Sequence, residues 1–207
     1  MEIPVLKRIN IEPYTNYDAL KEIASHLDTI EFRKVKTRYG GDHWSAVSYY
    51  GYGNDPWDIL KPGVLKSGIS EDAVLQHTTL KEEEVMEPIE EILKKIPAKF
   101  DRVRFMFLKA GTVVGKHTDK VDKDIGLELG KIIRLHVPIR THSEVKFNVW
   151  NGKTKETLIM VEGQYYYIDA TKSHSVENNS DVDRIHLVVD CHCDDTLKNL
   201  VINDSSF

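Results

Sequence analysis

The sequence predicts a mainly β fold with flanking helices, built as an antiparallel sandwich or a jelly-roll barrel. From residue 102 onward, short segments alternate apolar and polar residues, as half-buried strands do. Turn signals separate these segments, and Asn151-Gly152 is the strongest of them because this dipeptide favours a tight hairpin. Helical patterns occur only before residue 100, so we expect helices packed on the outside of the barrel.

Two helices are predicted within the flanking region, residues 1–100. Asn16 can cap the first helix, and its apolar face comprises Leu20, Ile23, Ala24 and Leu27. The second follows a capping-box pattern at residues 79–82, and its apolar stripe comprises Val85, Ile89, Ile92, Leu93 and Ile96. Pro88 either kinks this helix or restarts it, and Pro97 ends it. Between the helices, residues 44–50 predict a strand and residues 51–70 predict a loop.

The predicted strands of the barrel core fall within residues 101–193. They cover residues 103–107, 132–139, 145–150, 157–161, 164–168 and 184–190, and residues 109–116 predict a strand, a glycine turn and a second strand that leads to His117. Residues 194–207 form a C-terminal extension. No repeat or linker divides the chain, so residues 1–207 are predicted to form a single domain.

Composition excludes several classes of protein. The chain has 207 residues with 41% hydrophobic and 29% charged residues, which is typical of a soluble globular protein. A net charge of −5 argues against a nucleic-acid partner, and no apolar run is long enough to cross a membrane. The N-terminal residues lack a secretory pattern, and Cys191 and Cys193 provide no disulfide framework. We therefore expect a cytoplasmic location, and the oligomeric state stays open.

The tripeptide His117-Thr118-Asp119 is the strongest functional signal in the chain. Two side chains two positions apart on a strand point to the same face, so His117 and Asp119 can bind one metal ion together. Although such a pair often arises by chance, His174 follows another predicted strand and can supply a second imidazole. Two histidines and one carboxylate on one side of a metal suit Fe(II) that activates dioxygen.

Two further strands carry basic residues where a buried strand should be apolar. In residues 184–190 the even positions begin with Arg184 and His186, whereas the odd positions are aliphatic. Arg134 and His136 repeat this pattern in residues 132–139. A polar strand face inside a barrel indicates a pocket. An arginine there can bind the carboxylate of an oxo-acid cosubstrate through two parallel hydrogen bonds.

Four segments together resemble the aspartyl/asparaginyl β-hydroxylase family of Fe(II)- and 2-oxoglutarate-dependent dioxygenases. They are residues 111–119, 134–139, 162–174 and 184–190. The family includes small bacterial enzymes that cis-hydroxylate free proline. The resemblance implies a double-stranded β-helix with the metal ligands at one mouth.

The resemblance also implies roles for individual residues. His117, Asp119 and His174 would hold the iron and so be the catalytic residues. Arg184 would bind the distal carboxylate of 2-oxoglutarate, while Arg134 and His136 would contribute to the cosubstrate pocket.

These observations predict a hydroxylase that acts with dioxygen on an amino acid or on an amino-acid residue in a peptide. One alternative is a zinc-dependent hydrolase or isomerase on the same barrel, which would use a metal-bound water. Arg184 and Arg134 argue against it, because water activation needs no carboxylate-binding arginine. A second alternative is a non-catalytic, cupin-like ligand-binding domain, against which the intact His-x-Asp and distal histidine argue.

The segment of residues 44–70 is a candidate for the substrate wall and for a mobile lid. Trp44, Tyr49 and Trp57 would supply its apolar contacts, and its glycines permit movement. The competing interpretation is that each aromatic residue is ordinary core packing. The predicted partner is a small-molecule substrate, with neither nucleic acid nor membrane involved.

Overall fold

A computed structural model describes residues 3–30, 33–34, 43–62, 69–119 and 124–203. Its helices are α1 (Tyr17–Leu27), α2 (Glu87–Lys94) and α3 (Asp195–Asn203). Its strands are β1 (Leu6–Arg8), β2 (Arg33–Lys34), β3 (Trp44–Tyr52), β4 (Leu75–His77), β5 (Phe100–Leu108), β6 (Thr112–His117), β7 (Ile132–Arg140), β8 (Val145–Asn151), β9 (Thr154–Leu158), β10 (Tyr166–Ile168), β11 (Ser173–Asn178) and β12 (Arg184–His192).

The strands of the described residues form two antiparallel sheets. The large sheet has the order β1-β10-β7-β12-β5-β3-β2, with β4 paired to β3, and the small sheet has the order β6-β11-β8-β9. Side chains of both sheets share one core, in which Leu108 and Tyr166 of the large sheet meet Phe147 and Val149 of the small sheet. This is the predicted jelly-roll arrangement.

The outer face of the large sheet carries the helices. Odd-numbered residues of its central strands, among them Leu135, Val137, Leu187 and Val189, are completely buried in a cluster with the apolar faces of the three helices. Even-numbered residues of the same strands consequently point to the inner face. The large sheet is thus apolar on its helix side, and its inner face is free to carry polar groups.

The predicted helices form, but only one begins as expected. The Asn16 side chain caps α1 by accepting a hydrogen bond from the Ala19 amide at 3.2 Å. The capping-box segment is instead a short 3₁₀ helix without a side-chain cap. Thr78 precedes it and donates to the Ser48 carbonyl at 2.7 Å, which fastens the segment to β3. Pro88 then lies in the first turn of α2, so it restarts the helix rather than kinking it.

The predicted boundary at residue 100 does not separate the barrel from its surroundings. The first hundred residues contribute β1 to β4 to the large sheet, and β1 pairs with β10 in register from Leu6 to Arg8. Strand β3 was predicted at residues 44–50, whereas β1, β2 and β4 have only two or three residues each, too few to show an alternation. The predicted C-terminal extension also belongs to the core, because Leu197 and Val201 of α3 are fully buried.

Two glycine turns connect strands of the barrel, and the one at Gly152 was predicted from the sequence. Gly152, with φ of +61°, lies in the hairpin between β8 and β9. Gly163, with φ of +71°, lies against the backbone of Tyr14. A Cβ atom at position 163 would be 2.0 Å from the Tyr14 carbonyl oxygen. The return strand β9 begins at Thr154, three residues earlier than predicted. Within the described residues, no helix is long and apolar enough to span a membrane.

Candidate active site

The small sheet brings the His-x-Asp pair and the distal histidine together. His117 ends β6, Asp119 lies two residues beyond, and His174 on β11 lies directly opposite His117 in the antiparallel register. One ligand atom from each of the three side chains lies within 4.8 Å of the others, so they could hold one metal ion. The sequence had placed His174 after a loop, whereas it belongs to strand β11.

Both histidines present an unprotonated nitrogen to the centre of this group. Nδ1 of His117 lies 2.8 Å from the Gly115 carbonyl oxygen, and Nδ1 of His174 lies 3.0 Å from the Lys172 carbonyl oxygen. A carbonyl oxygen can only accept, so each Nδ1 carries a proton, which leaves the lone pair of a neutral ring on Nε2. Metal-binding histidines are typically oriented in this way by an outer-shell acceptor.

The two carboxylate oxygens of Asp119 face different groups, one the two histidines and the other an arginine. Oδ1 lies 3.6 Å from Nε2 of His117 and 3.8 Å from Nε2 of His174. Oδ2 accepts a hydrogen bond from Nη1 of Arg134. The backbone amide of Asp119 donates to the Ala170 carbonyl at 3.1 Å, which fixes the chain at this point. Oδ1 therefore remains available to a metal bound between the histidines.

Aromatic side chains enclose the histidine pair. Phe147 stacks on His174 at 5.9 Å between ring centroids, and Trp44 lies 5.7 Å from the His117 ring. Both histidines are buried. Burial lowers the pKa of His174, against the opposing effect of the Asp119 carboxylate. The surroundings thus favour the neutral imidazole, which is the form that binds metals.

Asp190 on β12 accepts hydrogen bonds from three arginines inside the barrel. It is completely buried, and it accepts hydrogen bonds from Arg102 at 2.8 Å, from Arg104 at 2.9 Å and from Nε of Arg134 at 2.7 Å. A second bond from Nη2 of Arg134, at 3.2 Å, makes that pair bidentate. Despite burial, the arginines hold the pKa of the Asp190 carboxyl well below its usual range.

Arg134 therefore connects two carboxylates. Its Nε and Nη2 atoms bind Asp190, and its Nη1 atom binds Asp119. The prediction from resemblance gave Arg134 a place in the cosubstrate pocket, but both edges of its guanidinium are engaged by carboxylates of the protein. This geometry makes Arg134 a support for Asp119 rather than a free anion-binding group.

Arg184 differs, since it is buried without an acidic partner among the described residues. Only 3% of Arg184 is exposed, and its Nη2 atom donates to Nδ1 of His186 at 2.7 Å. Burial lowers the pKa of Arg184 to about 9, and no neighbouring carboxylate offsets this effect. His136 links this region to the histidine pair, because its ring packs edge-on against Phe147 at 5.4 Å and its Nδ1 lies 3.4 Å from Nδ1 of His186.

The three aromatic candidates for the substrate wall separate onto two faces. Trp44 lies beside His117 on the inner face. Tyr49 is fully buried on the helix side, where its hydroxyl donates to Glu90 at 2.8 Å, and Trp57 packs against the same helix-side cluster. Tyr49 and Trp57 therefore do not reach the site. Trp44 and Tyr49 are five positions apart on one strand, and an odd separation already places them on opposite faces.

The described part of the predicted lid covers one end of the inner face. Ile59 packs there against Ala46 and Val188, and its carbonyl accepts from Arg102 at 3.5 Å. Residues 63–68 of the predicted lid lie outside the described residues.

A family model described as aspartyl/asparaginyl β-hydroxylase matches residues 15–193. The chain belongs to this family. Membership confirms the predicted family and the predicted enzyme class, a hydroxylase and thus an oxidoreductase. No curated protein sequence matches the chain significantly.

Solved structures with a similar fold include the non-haem α-ketoglutarate-dependent epimerase SnoN of nogalamycin biosynthesis and the prolyl-4-hydroxylase of Pseudomonas putida. The epimerase has 10% identity and a TM-score of 0.54, covering 90% of this chain and 76% of that chain. The prolyl-4-hydroxylase has 11% identity and a TM-score of 0.50, covering 92% and 93%. These similarities concern the fold, and they confirm the predicted jelly-roll barrel.

Sequence reasoning missed part of the polar inner face beside this candidate site. It did not single out Asp190, Arg102 or Arg104, although all three lie at even positions of strands whose odd positions, apart from Asp101, are apolar. In the register of the large sheet, Asp190 is opposite Arg102 on one side and Arg134 on the other. The alternation could have revealed these residues, but their pairing depends on the register.

The Asp190 cluster yields a stability prediction. In Asp190→Asn, three buried guanidinium groups lose their shared negative charge, and we expect unfolding free energy to fall by about 3–5 kcal/mol. Asp28 is the matched control, because it binds Arg140 with two bonds of 2.6 and 2.7 Å near the surface. Asp28→Asn should cost below about 1 kcal/mol. Urea denaturation of both variants tests this, and equal losses would contradict it.

Proposed function

We propose that this protein is an Fe(II)- and 2-oxoglutarate-dependent hydroxylase acting on an amino acid or on an amino-acid residue in a peptide. The observation that carries the proposal is the pairing of a His117–Asp119–His174 ligand set with Arg184, a buried cation without an acidic partner among the described residues. The ligand set can hold a metal ion. The buried charge of Arg184 favours the binding of an anion from outside the chain.

The ligand set suits Fe(II). Two imidazole nitrogens and one carboxylate oxygen give a mixed shell with one negative charge, and a facial arrangement leaves coordination positions open. Bound there, Fe(II) with 2-oxoglutarate and dioxygen supplies the oxidation that removes hydrogen from an unactivated carbon. The protein contributes orientation: Gly115 and Lys172 fix the two imidazoles, and Arg134 holds the second oxygen of Asp119.

The inner face of the large sheet suits the cosubstrate. Arg184 is opposite Leu108 and lies four positions along β12 from Val188, which is paired with His136. In this proposal, a dicarboxylate would bind the metal with one end and the Arg184 guanidinium with the other. Arg184 provides a planar fork that matches the distal carboxylate. His136, which contacts Phe147 and His186, would line the space between the metal and Arg184.

The alternatives explain less of this geometry. A zinc hydrolase or isomerase on the same barrel would use the histidines and Asp119, yet it gives no reason for a buried, uncompensated arginine. A non-catalytic ligand-binding domain would need neither the oriented Nε2 atoms nor the arginine support of Asp119.

The substrate class rests on family membership and on the aromatic wall. The family is described by hydroxylation of aspartyl and asparaginyl residues, and one solved structure with this fold is a prolyl-4-hydroxylase. Trp44, beside His117, supplies an apolar surface suited to an aliphatic or ring carbon. We take a free amino acid as the first choice and a peptide residue as the second.

The metal assignment predicts a visible signature. Anaerobic addition of Fe(II) and 2-oxoglutarate should give a weak charge-transfer band with about one iron per chain. Loss of a ligand should weaken metal binding by more than about 100-fold, because even outer-shell changes cost 10–100-fold. We expect His117→Ala, Asp119→Ala and His174→Ala to lose the band, while the half-exposed His142 provides the control, His142→Ala. Wild-type iron occupancy in the ligand variants would remove the assignment.

The cosubstrate assignment predicts selective loss of affinity. Arg184→Ala should weaken 2-oxoglutarate binding by on the order of 2–5 kcal/mol, because the bound carboxylate loses its partner. Arg184→Lys should restore only part, since an ammonium group cannot form the two-pronged contact. Isothermal titration into Mn(II)-loaded protein measures this, with Arg140→Ala as the control. Unchanged affinity in Arg184→Ala would assign the carboxylate to another cation.

The substrate assignment predicts which tryptophan matters. Free amino acids and short peptides are screened for substrate-stimulated release of succinate. With a substrate in hand, Trp44→Ala should raise its KM by about tenfold through the lost aromatic contact. Trp57→Ala should lower stability and leave KM unchanged, because Trp57 packs on the helix side. If no amino acid or peptide stimulates turnover, the substrate class is wrong, whereas the hydroxylase assignment stands on the charge-transfer band.

A further inference from the structure

Two buried nitrogen atoms on β12 have no hydrogen-bond partner among the described residues. They are Nε of Arg184 and Nε2 of His186. The two residues are 3% and 1% exposed, and they lie two positions apart on the inner face. Buried nitrogen donors are almost always paired in folded proteins, so both atoms need an explanation.

The contact between these two side chains fixes the protonation of His186. Nη2 of Arg184 lies 2.7 Å from Nδ1 of His186. A guanidinium has only donors, so Nδ1 of His186 must accept with a lone pair. Burial, Arg184 and His136 together lower the pKa of His186 well below its ordinary value, which agrees with a neutral ring. The single ring proton is then on Nε2.

His136 completes the same pattern. Its Nδ1 atom lies 3.4 Å from Nδ1 of His186, an atom already defined as an acceptor. The contact is a hydrogen bond only if His136 carries its proton on Nδ1. Nδ1 of His186 has a single lone pair in the plane of the ring. The 2.7 Å contact with Arg184 uses that lone pair and orients the guanidinium, and the longer contact with His136 is secondary to it.

A neutral acceptor has a consequence that a carboxylate would not have. Asp190 and Asp119 orient Arg134 and also compensate its charge. His186 orients Arg184 without contributing negative charge, so the cation keeps its full attraction for an anionic ligand. A carboxylate at the same place would compete with that ligand for the guanidinium.

We propose that His186 is a positioning residue, which holds Arg184 through its Nδ1 lone pair in the orientation that binds the distal carboxylate of the cosubstrate. This inference rests on the proposed function for the identity of the anion. It adds a residue that acts through Arg184 and predicts the position of one proton, on Nε2 of His186.

Nuclear magnetic resonance tests the proton position directly. Long-range ¹H–¹⁵N correlation spectra of Zn(II)-loaded wild-type protein report both ring nitrogens of each histidine. We expect a neutral His186 with its proton on Nε2, both before and after 2-oxoglutarate is added. A proton on Nδ1, or a doubly protonated ring, would overturn the proposal, because neither form can accept from Arg184.

Variants of His186 test the positioning role. The side-chain oxygen of Asn can replace Nδ1, whereas that of Gln reaches toward the position of Nε2. In Mn(II)-loaded protein we expect His186→Leu and His186→Gln to bind 2-oxoglutarate about tenfold more weakly, the scale of a lost hydrogen bond to a charged group. His186→Asn should retain most of the affinity. Mn(II) affinity should be unchanged in all three, and His192→Leu, at the exposed end of β12, is the matched control.

The outcomes separate this proposal from the proposed function. Wild-type affinity in a folded His186→Leu variant, or equal rescue by Asn and Gln, would refute positioning through Nδ1. A wild-type protein that binds no 2-oxoglutarate would refute the proposed function, and the proton on His186 would still decide the Arg184–His186 contact. Thermal unfolding of each variant distinguishes lost affinity from lost fold.

Discussion

The buried Asp190 carboxylate organises the inner face of the large sheet. Arg102, Arg104 and Arg134 converge on it from the two strands that flank β12. Without this shared anion, three guanidinium groups would repel one another in a region of low dielectric constant. Through Arg134 the cluster reaches Asp119, beyond the end of β6 in the other sheet. One chain of charge-assisted hydrogen bonds thus connects the large sheet to the metal ligand set.

The two faces of the large sheet serve different purposes because successive side chains of a strand point to opposite faces. On the outer face, fully buried aliphatic residues such as Leu135 and Leu187 pack against the helices and provide hydrophobic stabilisation. On the inner face, the neighbouring positions Arg134 and His186 carry functional groups. Because hydrophobic burial on the outer face stabilises the sheet, the inner face can hold charged groups that are buried away from water. This separation allows a chain of 207 residues to contain a buried ionic site.

Much of the site could be predicted because it depends on local sequence. His117 and Asp119 are two positions apart in the sequence, and the even positions of residues 184–190 are mostly polar, so neither inference needs the register. Strand β11 was not predicted, since Ser173 to Asn178 alternates weakly and contains four polar residues besides His174. The sequence alone also could not predict which residues the arginines bind. Arg134 and Arg184 look equivalent in the sequence, but only Arg134 is opposite Asp190 in the sheet.

The register therefore decides which arginine is neutralised and which stays available for a ligand. At the Asp190 end of the inner face, fixed carboxylates compensate Arg134 and hold Asp119 in place. At the other end, Arg184 has only the neutral His186 beside it among the described residues. In the proposed function, an anion would bind Arg184 in preference to Arg134, because binding at Arg184 breaks no ion pair among the described residues. The other end of a bound dicarboxylate would then lie toward the histidine pair.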